Sequence, residues 1–326
     1  MARHYDLHRL RLLRELKHRG TITAVAAAMS YSHSAVSQQL ATLEAEVGTA
    51  LLEPDGRRVR LTPAAEILIT HVDAVLERLD EADADLARTT GEIAGRFRIG
   101  TFQTAMMALI PSLLATLKKA HPRLTVEVAH ADPDAALSGL QGHDFDLVVD
   151  EVFAGQSLTR SSAVDQTILL RDPLRLAVPA ADSSLAGAEQ LADLAHADWV
   201  LEPQGSQARE WADRICNAAG FRPNVRFESP DMFEHERLVR AGHAVAFLPD
   251  LLWAATRPTI RLHELPQIGY RDVVCSVRAG TSHHPAVSSV TEALRAICPE
   301  VHNAINANLR DRTTHAEPGI TDIVAP

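Results

Sequence analysis

Cysteine is scarce in this 326-residue chain, and what there is does not form a pattern. Cys216, Cys275 and Cys298 are an odd number at wide spacing, which is neither a disulfide framework nor a metal-ligand arrangement. They read as reduced, buried thiols; a redox sensor would need two of them to meet in the fold. No run of about 18 apolar residues occurs, so no segment is expected to span a bilayer. The first residues, Met1-Ala2-Arg3-His4-Tyr5-Asp6, lack the apolar core and cleavage site of a secretory signal. The cytoplasm is the expected compartment. Also missing are a nucleophile elbow, a Walker-type phosphate loop and a metal-spaced His/Cys cluster. The nearest candidate, His283-His284, precedes Pro285 in what reads as a loop. These absences argue against an enzyme, a metal and a cofactor.

What is present is ordinary globular composition, 46% hydrophobic and 23% charged, at a length that suits two or three domains. The net charge of −10 is unevenly spread. Residues 1–61 hold nine Lys and Arg against six Asp and Glu, while the remainder holds 23 against 36. A basic head on an acidic body is expected when only one domain meets phosphate.

The head has the punctuation of three short helices. Asp6 can cap the first, in which Leu7, Leu10 and Leu13 recur at helical spacing before Gly20 stops it. A second, Ala-rich helix spans Ala24 to Met29. After the turn at Ser30-Tyr31-Ser32, a third runs from about His33 to Gly48. Two short helices joined by a tight turn form a helix-turn-helix. Pro54-Asp55-Gly56 between extended runs then predicts a hairpin, with Arg57 and Arg58 at its tip.

Thr62-Pro63 opens a long helix, since Thr is a good cap and Pro suits the first turn. Neither Pro nor Gly interrupts it before Gly91. Leu61, Ala65, Leu68, Val72, Val75, Leu79, Ala82 and Leu86 alternate spacings of four and three. That is a coiled-coil seam, which predicts a dimerisation helix using Leu68, Val72, Val75 and Leu79. The alternative is an amphipathic helix packed on its own domain. Beyond Gly95, strands and helices alternate up to a last helix at 285–297, which implies a mostly parallel sheet covered by helices. The polar tail 301–326 is expected to be disordered.

Ser32-His33-Ser34-Ala35-Val36-Ser37-Gln38-Gln39-Leu40, followed by Leu43-Glu44 and Gly48, resembles the recognition helix of LysR-type transcription regulators. Ala24 to Met29, Leu61-Thr62-Pro63-Ala64-Ala65, Ile110-Pro111-Ser112-Leu113-Leu114 and Gly242-His243-Ala244-Val245-Ala246-Phe247-Leu248-Pro249 fall where that family has similar segments. The chain departs from the common pattern at His33-Ser34, Gln38 and Pro54, which bears on sequence preference rather than fold. The resemblance implies a winged helix-turn-helix at 1–61, a linker and dimerisation helix at 62–90, and an effector-binding domain at 91–300. That last part would be a type 2 periplasmic-binding-protein fold of two α/β lobes, one about 92–165 with 267–300, the other about 166–266.

On this reading the third helix enters the major groove with His33, Ser34, Ser37 and Gln38. Gln38 can pair with adenine through both amide atoms, and Ser32 serves mostly as a cap. Arg57 and Arg58 would take phosphate or the minor groove. The effector would sit between the lobes, near Thr101, Phe102, Gln103 and Thr104 on one side and Gln204, Gly205 and Ser206 on the other. Asp150, Ser229 and Asp231 are placed after strands that end near that cleft, although Thr104 and Ser206 could equally be helix caps. The acids Asp150, Glu202 and Asp231 hint at a ligand with amine or hydroxyl groups. Expected partners are double-stranded promoter DNA, a small-molecule effector, a second copy in a homodimer or homotetramer, and RNA polymerase if the protein activates.

Overall fold

The computed structural model describes residues 5–29, 31–56, 58–90, 93–158, 163–180, 185, 188, 190–265 and 269–310. The head begins with α1 (Leu7–Arg19), α2 (Ile22–Ala28) and α3 (His33–Val47). Asp6 caps α1, accepting from the N–H groups of His8 and Arg9 at 2.8 and 3.2 Å. Thr21 caps α2 and Ser32 caps α3. Gly20 and Gly48 end α1 and α3 in the left-handed conformation, both at φ 72°, where a Cβ would be strained. A two-stranded hairpin follows, β1 (Leu52–Asp55) paired antiparallel with β2 (Arg58–Leu61). Leu12, Leu13, Leu16, Val25, Val36, Leu40, Leu43 and Leu51 make one small core.

The long helix α4 (Pro63–Thr90) carries two apolar stripes where the sequence pattern shows one seam. Ala65, Ile69, Val72 and Leu76 are buried in the head's own core, and Leu68 packs half-buried against it. Val75, Leu79 and Leu86 are 49%, 38% and 64% exposed. The alternative of packing on its own domain therefore describes the first half of α4, and Val72, expected in a dimer seam, lies within its own head. A four-three repeat drifts around a 3.6-residue helix, so the merged pattern splits between two neighbours.

The remaining chain forms a mixed sheet and a smaller pair of strands. β3 (Gly95–Thr101), β4 (Leu124–His130) and β5 (Leu147–Phe153) are parallel neighbours. β6 (Val164–Val178) and β11 (Tyr270–Arg278) run antiparallel to each other, and β11 runs antiparallel to β5. The sheet is thus not mostly parallel as expected. β6 leaves the first lobe and β11 returns to it, so they lie side by side in opposite senses. β6 is one 15-residue strand: Val164 to Pro173 pair with β11, and Leu174 to Val178 pair with β9 (Ala246–Pro249) and β10 (Arg261–Glu264). Residues 166–173, read as second lobe, belong by pairing to the first. In the second lobe β7 (Asp198–Leu201) and β8 (Asn224–Glu228) pair in parallel.

Helices cover these strands. The helix expected from Met106 to Ala120 is two, α5 (Gln103–Ala108) and α6 (Ile110–Ala120). Pro111 lies in the first turn of α6, where its missing N–H costs nothing; inside a continuous helix it would clash one turn back. α7 (Pro133–Gln141), α8 (Gln207–Ala218) and α9 (Met232–Arg240) precede α10 (Pro285–Arg310). α10 passes through Pro299 and runs 13 residues past the expected end at Ile297. Val301 and Ile305 are buried in the first lobe's core, and that burial offsets the roughly 3 kcal/mol a mid-helix proline costs. Residues 301–310 are therefore helix rather than disordered tail, and 311–326 lie outside the described residues.

The head rests on the first lobe. Arg19 of α1 pairs with Asp144 at 2.6 Å, and Arg14 donates to the carbonyl of Gln141. Arg278 of β11 pairs with Asp80 of α4 at 3.0 Å. Gly280, at φ 84°, lies where a Cβ would come within 2.9 Å of the Glu77 carbonyl. Side chains there would hold α4 away from the lobe.

Candidate DNA-reading surface and effector cleft

The inward face of α3 is apolar, with Val36, Leu40, Leu43 and Val47 buried. That leaves His33, Ser34 and Gln38 exposed and Ser37 half-buried on the outer face of its first turns. Ser32 accepts from the Ala35 N–H at 3.1 Å and lies 3.0 Å from the Ser34 hydroxyl. Glu44 anchors the other end: one carboxylate oxygen accepts from the N–H groups of Leu51 and Leu52 at 2.7 and 2.9 Å. α3 and the hairpin thus hold a fixed relation. Arg57 and the side chain of Arg58 lie outside the described residues. Arg60 on β2 is exposed and pairs with Glu53 at 2.5 Å.

Across the cleft the first lobe offers Gln103 at the start of α5. Its side-chain oxygen accepts from the Met232 N–H at 2.9 Å, and its amide also bonds Asp231. Gln103 and Asp231, both expected at the cleft, therefore meet across the two lobes. Asp231 also caps α9, accepting from the Phe233 N–H at 2.8 Å. Burial opposes ionisation of this carboxyl, but the bonds from Gln103 and the backbone hold it below its ordinary range. Ser229 accepts from the Asp231 N–H and donates to Glu234 at 2.5 Å. Ser206 caps α8, accepting from the Arg209 N–H at 3.1 Å, beside exposed Gln204 and Gly205.

Other expected cleft residues turn inward. Thr101 and Thr104 are fully buried and Phe102 nearly so. α5 has only six residues, too few turns for a strong terminal dipole. Asp150 does not follow a strand but lies inside β5. Side chains alternate along a strand, so Asp150 shares a face with Val148, and Glu151 points the other way.

Glu151 belongs to a buried ion cluster that the sequence reading did not assemble. Arg271 pairs with Glu151, and with Asp172 at 2.8 Å. It donates to the Thr104 hydroxyl at 2.6 Å, and its guanidinium lies 4.8 Å above the Phe102 ring. Arg271 is held protonated against burial by the two carboxylates. Burial pushes Asp172 up to about 6 despite Arg271. Burial, with the charge of Glu151, pushes nearby Glu202 up to about 7. One signal for the cluster was legible. Arg271 shares its strand face with Val273, Cys275 and Val277; Glu151 shares one with Leu147 and Val149; Asp172 shares one with Leu174, Leu176 and Val178. A charge on the apolar side of a period-two run must find a partner in the core.

A model of the bacterial regulatory helix-turn-helix proteins of the lysR family matches residues 7–66, and one of the LysR substrate binding domain matches residues 90–299. The chain is 28% identical over 268 residues to the transcriptional dual regulator GltC of Bacillus subtilis, covering 81% of this chain and 88% of that one. It is 30% identical over 229 residues to a "Probable hydrogen peroxide-inducible genes activator" of Mycobacterium avium, covering 70% and 72%. A full-length OxyR point variant from Pseudomonas aeruginosa superimposes with a TM-score of 0.63 at 19% identity, over 90% of this chain and 96% of that one. Full-length CbnR complexed with its target DNA gives 0.51 at 22% identity, over 90% and 99%.

Proposed function

The chain belongs to the LysR family of bacterial transcription regulators, with a DNA-binding head and an effector-binding domain, and on that premise we propose how its own residues divide the work. His33, Ser34, Ser37 and Gln38 read or hold DNA from the first turns of α3, with Gln38 the base-reading residue. Arg57 and Arg58 on the hairpin take phosphate or the minor groove. The exposed stripe of Val75, Leu79, Ala82 and Leu86 on α4 pairs with a second copy. A helix of 28 residues, about 42 Å long, then sets two heads on half-sites about one DNA turn apart. The protein works as a homodimer or homotetramer in the cytoplasm, has no catalytic role, and meets RNA polymerase where it activates. Among the described residues no helix is long and apolar enough to cross a membrane.

The effector occupies the cleft between Gln103 on one side and Ser206 and Asp231 on the other. The observation that carries this is the bond from Met232 to Gln103, since it ties the lobes at the place a ligand would compete for. Ligand binding shifts the lobes between arrangements, and the change passes to the heads through the Arg278–Asp80 contact on α4 and the Arg19–Asp144 contact on α1. The test is binding of the purified protein to its own upstream intergenic region, with scrambled competitor and a salt series. Specific binding that weakens with salt, and is lost on Gln38→Ala with Arg57→Ala, supports the reading. A well-folded dimer without specific binding there, at any salt, counts against this assignment of the head.

A further inference from the structure

Where the head rests on the first lobe, α1, α4 and the lobe enclose a cavity of about 350 Å³. That is room for a small metabolite. Arg14 of α1, one face of α4 from Thr70 to Asp80, and His143, Arg278 and Ala279 of the lobe form its walls. At about 100° per residue, Asp73, Glu77 and Asp80 lie across α4 from Val75, Leu79 and Leu86. A second copy joined along that exposed stripe would leave the cavity uncovered.

The ion pairs in this wall do not use up their charged groups. Arg14 donates from Nε to Asp73 at 2.6 Å and from Nη1 to the Gln141 carbonyl, and its Nη2 bonds no described residue. Arg278 donates from Nε to Asp80 at 3.0 Å and from Nη1 to the carbonyls of Leu140 and Phe145 at 3.2 and 2.7 Å. Its Nη2 stands 3.7 Å from Asp146, beyond hydrogen-bond reach. Neither Nη2 is sealed from solvent. No ion pair or hydrogen bond joins the Glu77 carboxylate to a described residue, and the Asp73 side chain keeps 32% of its surface exposed. Desolvation, then the charges of Arg278, Arg14 and Arg11, lower His143 to about 3, so near neutral pH its ring adds no charge. A simple anion would meet Asp73, Glu77 and Asp80 here. A simple cation would meet Arg14 and Arg278. A molecule carrying both signs satisfies both sets, and Ala74, Leu76 and Ala279 leave space for a short body.

We propose that this cavity binds an α-amino acid, with its carboxylate on the remaining Nη2 donors of Arg14 and Arg278 and its ammonium on Glu77. The site is separate from the cleft between the lobes. Its walls come from the head, the linker helix and the first lobe, so an occupant would clamp the head in the arrangement that Arg19–Asp144 and Arg278–Asp80 hold.

Isothermal titration of the full-length protein with each standard L-amino acid identifies the tightest, which is then compared with its decarboxylated amine and its deaminated acid. Both should bind at least about tenfold more weakly, ~1.4 kcal/mol. Glu77→Gln should weaken the amino acid by a similar factor. Ala74→Trp, at an exposed position on the cavity wall, should abolish binding. Gln103→Ala, in the cleft between the lobes, should leave it unchanged, and amide exchange at 141–144 should slow when the amino acid binds. No binding of any amino acid at millimolar concentration by folded protein would overturn the proposal, as would an amine or acid that binds as tightly as the amino acid. Binding lost on Gln103→Ala but untouched by Glu77→Gln and Ala74→Trp would overturn it too, and would leave the cleft standing as the effector site.

Discussion

The head and the effector domain both depend on charge and polarity, yet they hold it in opposite ways. In the head the α3 side chains proposed to meet DNA, His33, Ser34, Ser37 and Gln38, lie within six residues of one another, exposed except for half-buried Ser37. In the effector domain Thr104, Glu151, Asp172 and Arg271 converge from four distant stretches and are buried. DNA supplies hydrogen-bond partners for these side chains, so they can wait solvated until they bind. A ligand site cannot rely on such a partner, and its charges must be neutralised inside the protein. α4 belongs to both regions, with Ala65, Ile69, Val72 and Leu76 buried in the head and Val75, Leu79 and Leu86 left outside.

The largest effect is expected from separating those two stripes. Leu79→Lys should abolish the dimer on a sizing column, and with it the gain from two linked heads, about 10²–10⁴ in DNA affinity. Val72→Ala, about two turns away but 2% exposed, should leave the dimer intact and lower the head's stability by about 1–3 kcal/mol. An unchanged dimer in Leu79→Lys would mean that the exposed stripe is not the joining surface.

Next in size is Arg271→Met. Removing the guanidinium leaves Glu151 and Asp172 buried without their cation. A loss of about 3–5 kcal/mol is expected in urea unfolding of the effector domain, with the head's transition little moved. Replacing Glu151 and Asp172 by Gln and Asn in the same chain should recover part of it. A loss below about 1 kcal/mol would show that the cluster is wetter than its burial suggests.

The same contrast explains what could be read from the chain. The head's caps at Asp6 and Ser32, its glycine stops and its hairpin are local signals, and each is where the pattern puts it. The alternation of elements in the effector domain was legible for the same reason. The direction of β6 and β11 was not, because pairing sense depends on how the chain crosses between lobes. α10 continued past Pro299 because Val301 and Ile305 found a core that no local rule can see. Asp150 and Glu151 are neighbours, and only the face of β5 decides which one meets Arg271. Ser229, Asp231 and Ser206 read as ligand contacts in the sequence, and each has a local bond at a helix start.

A smaller effect sharpens the electrostatic side of the comparison. Glu202 in the effector domain is pushed from 4.5 to about 7 by burial and by Glu151. The folded state then binds its proton more tightly than the unfolded state. Stability from this group is full below about 4.5 and is lost as pH rises to about 7. His18 in the head is pushed from 6.5 to about 4 by burial and by Arg14. Here the unfolded state binds the proton more tightly, so stability is full above 6.5 and is lost as pH falls to about 4. The difference in unfolding free energy between wild type and Glu202→Gln should therefore decline with rising pH, and that between wild type and His18→Gln should increase. Taking each difference cancels His143 and His235, which weigh the same way as His18. Parallel slopes would contradict both assignments.

The smallest expected effect is none at all, and it concerns the thiols. Some relatives are named for induction by hydrogen peroxide, which could suggest the same signal here. The thiolate is the form that reacts with peroxide. Cys216 is pushed up to about 12, and Cys275 and Cys298 each to about 11, in every case chiefly by burial. Cys298 also donates to the Leu294 carbonyl at 3.1 Å, inside the first lobe's core. Near neutral pH the reactive form is therefore a vanishing fraction, and solvent does not reach it. Peroxide should leave DNA affinity unchanged, and a thiol reagent should label the folded protein only as fast as it opens. A peroxide-dependent change in DNA binding that disappears on replacing these cysteines with serine would reverse the argument, since it would require the effector domain to expose in solution what its core holds covered.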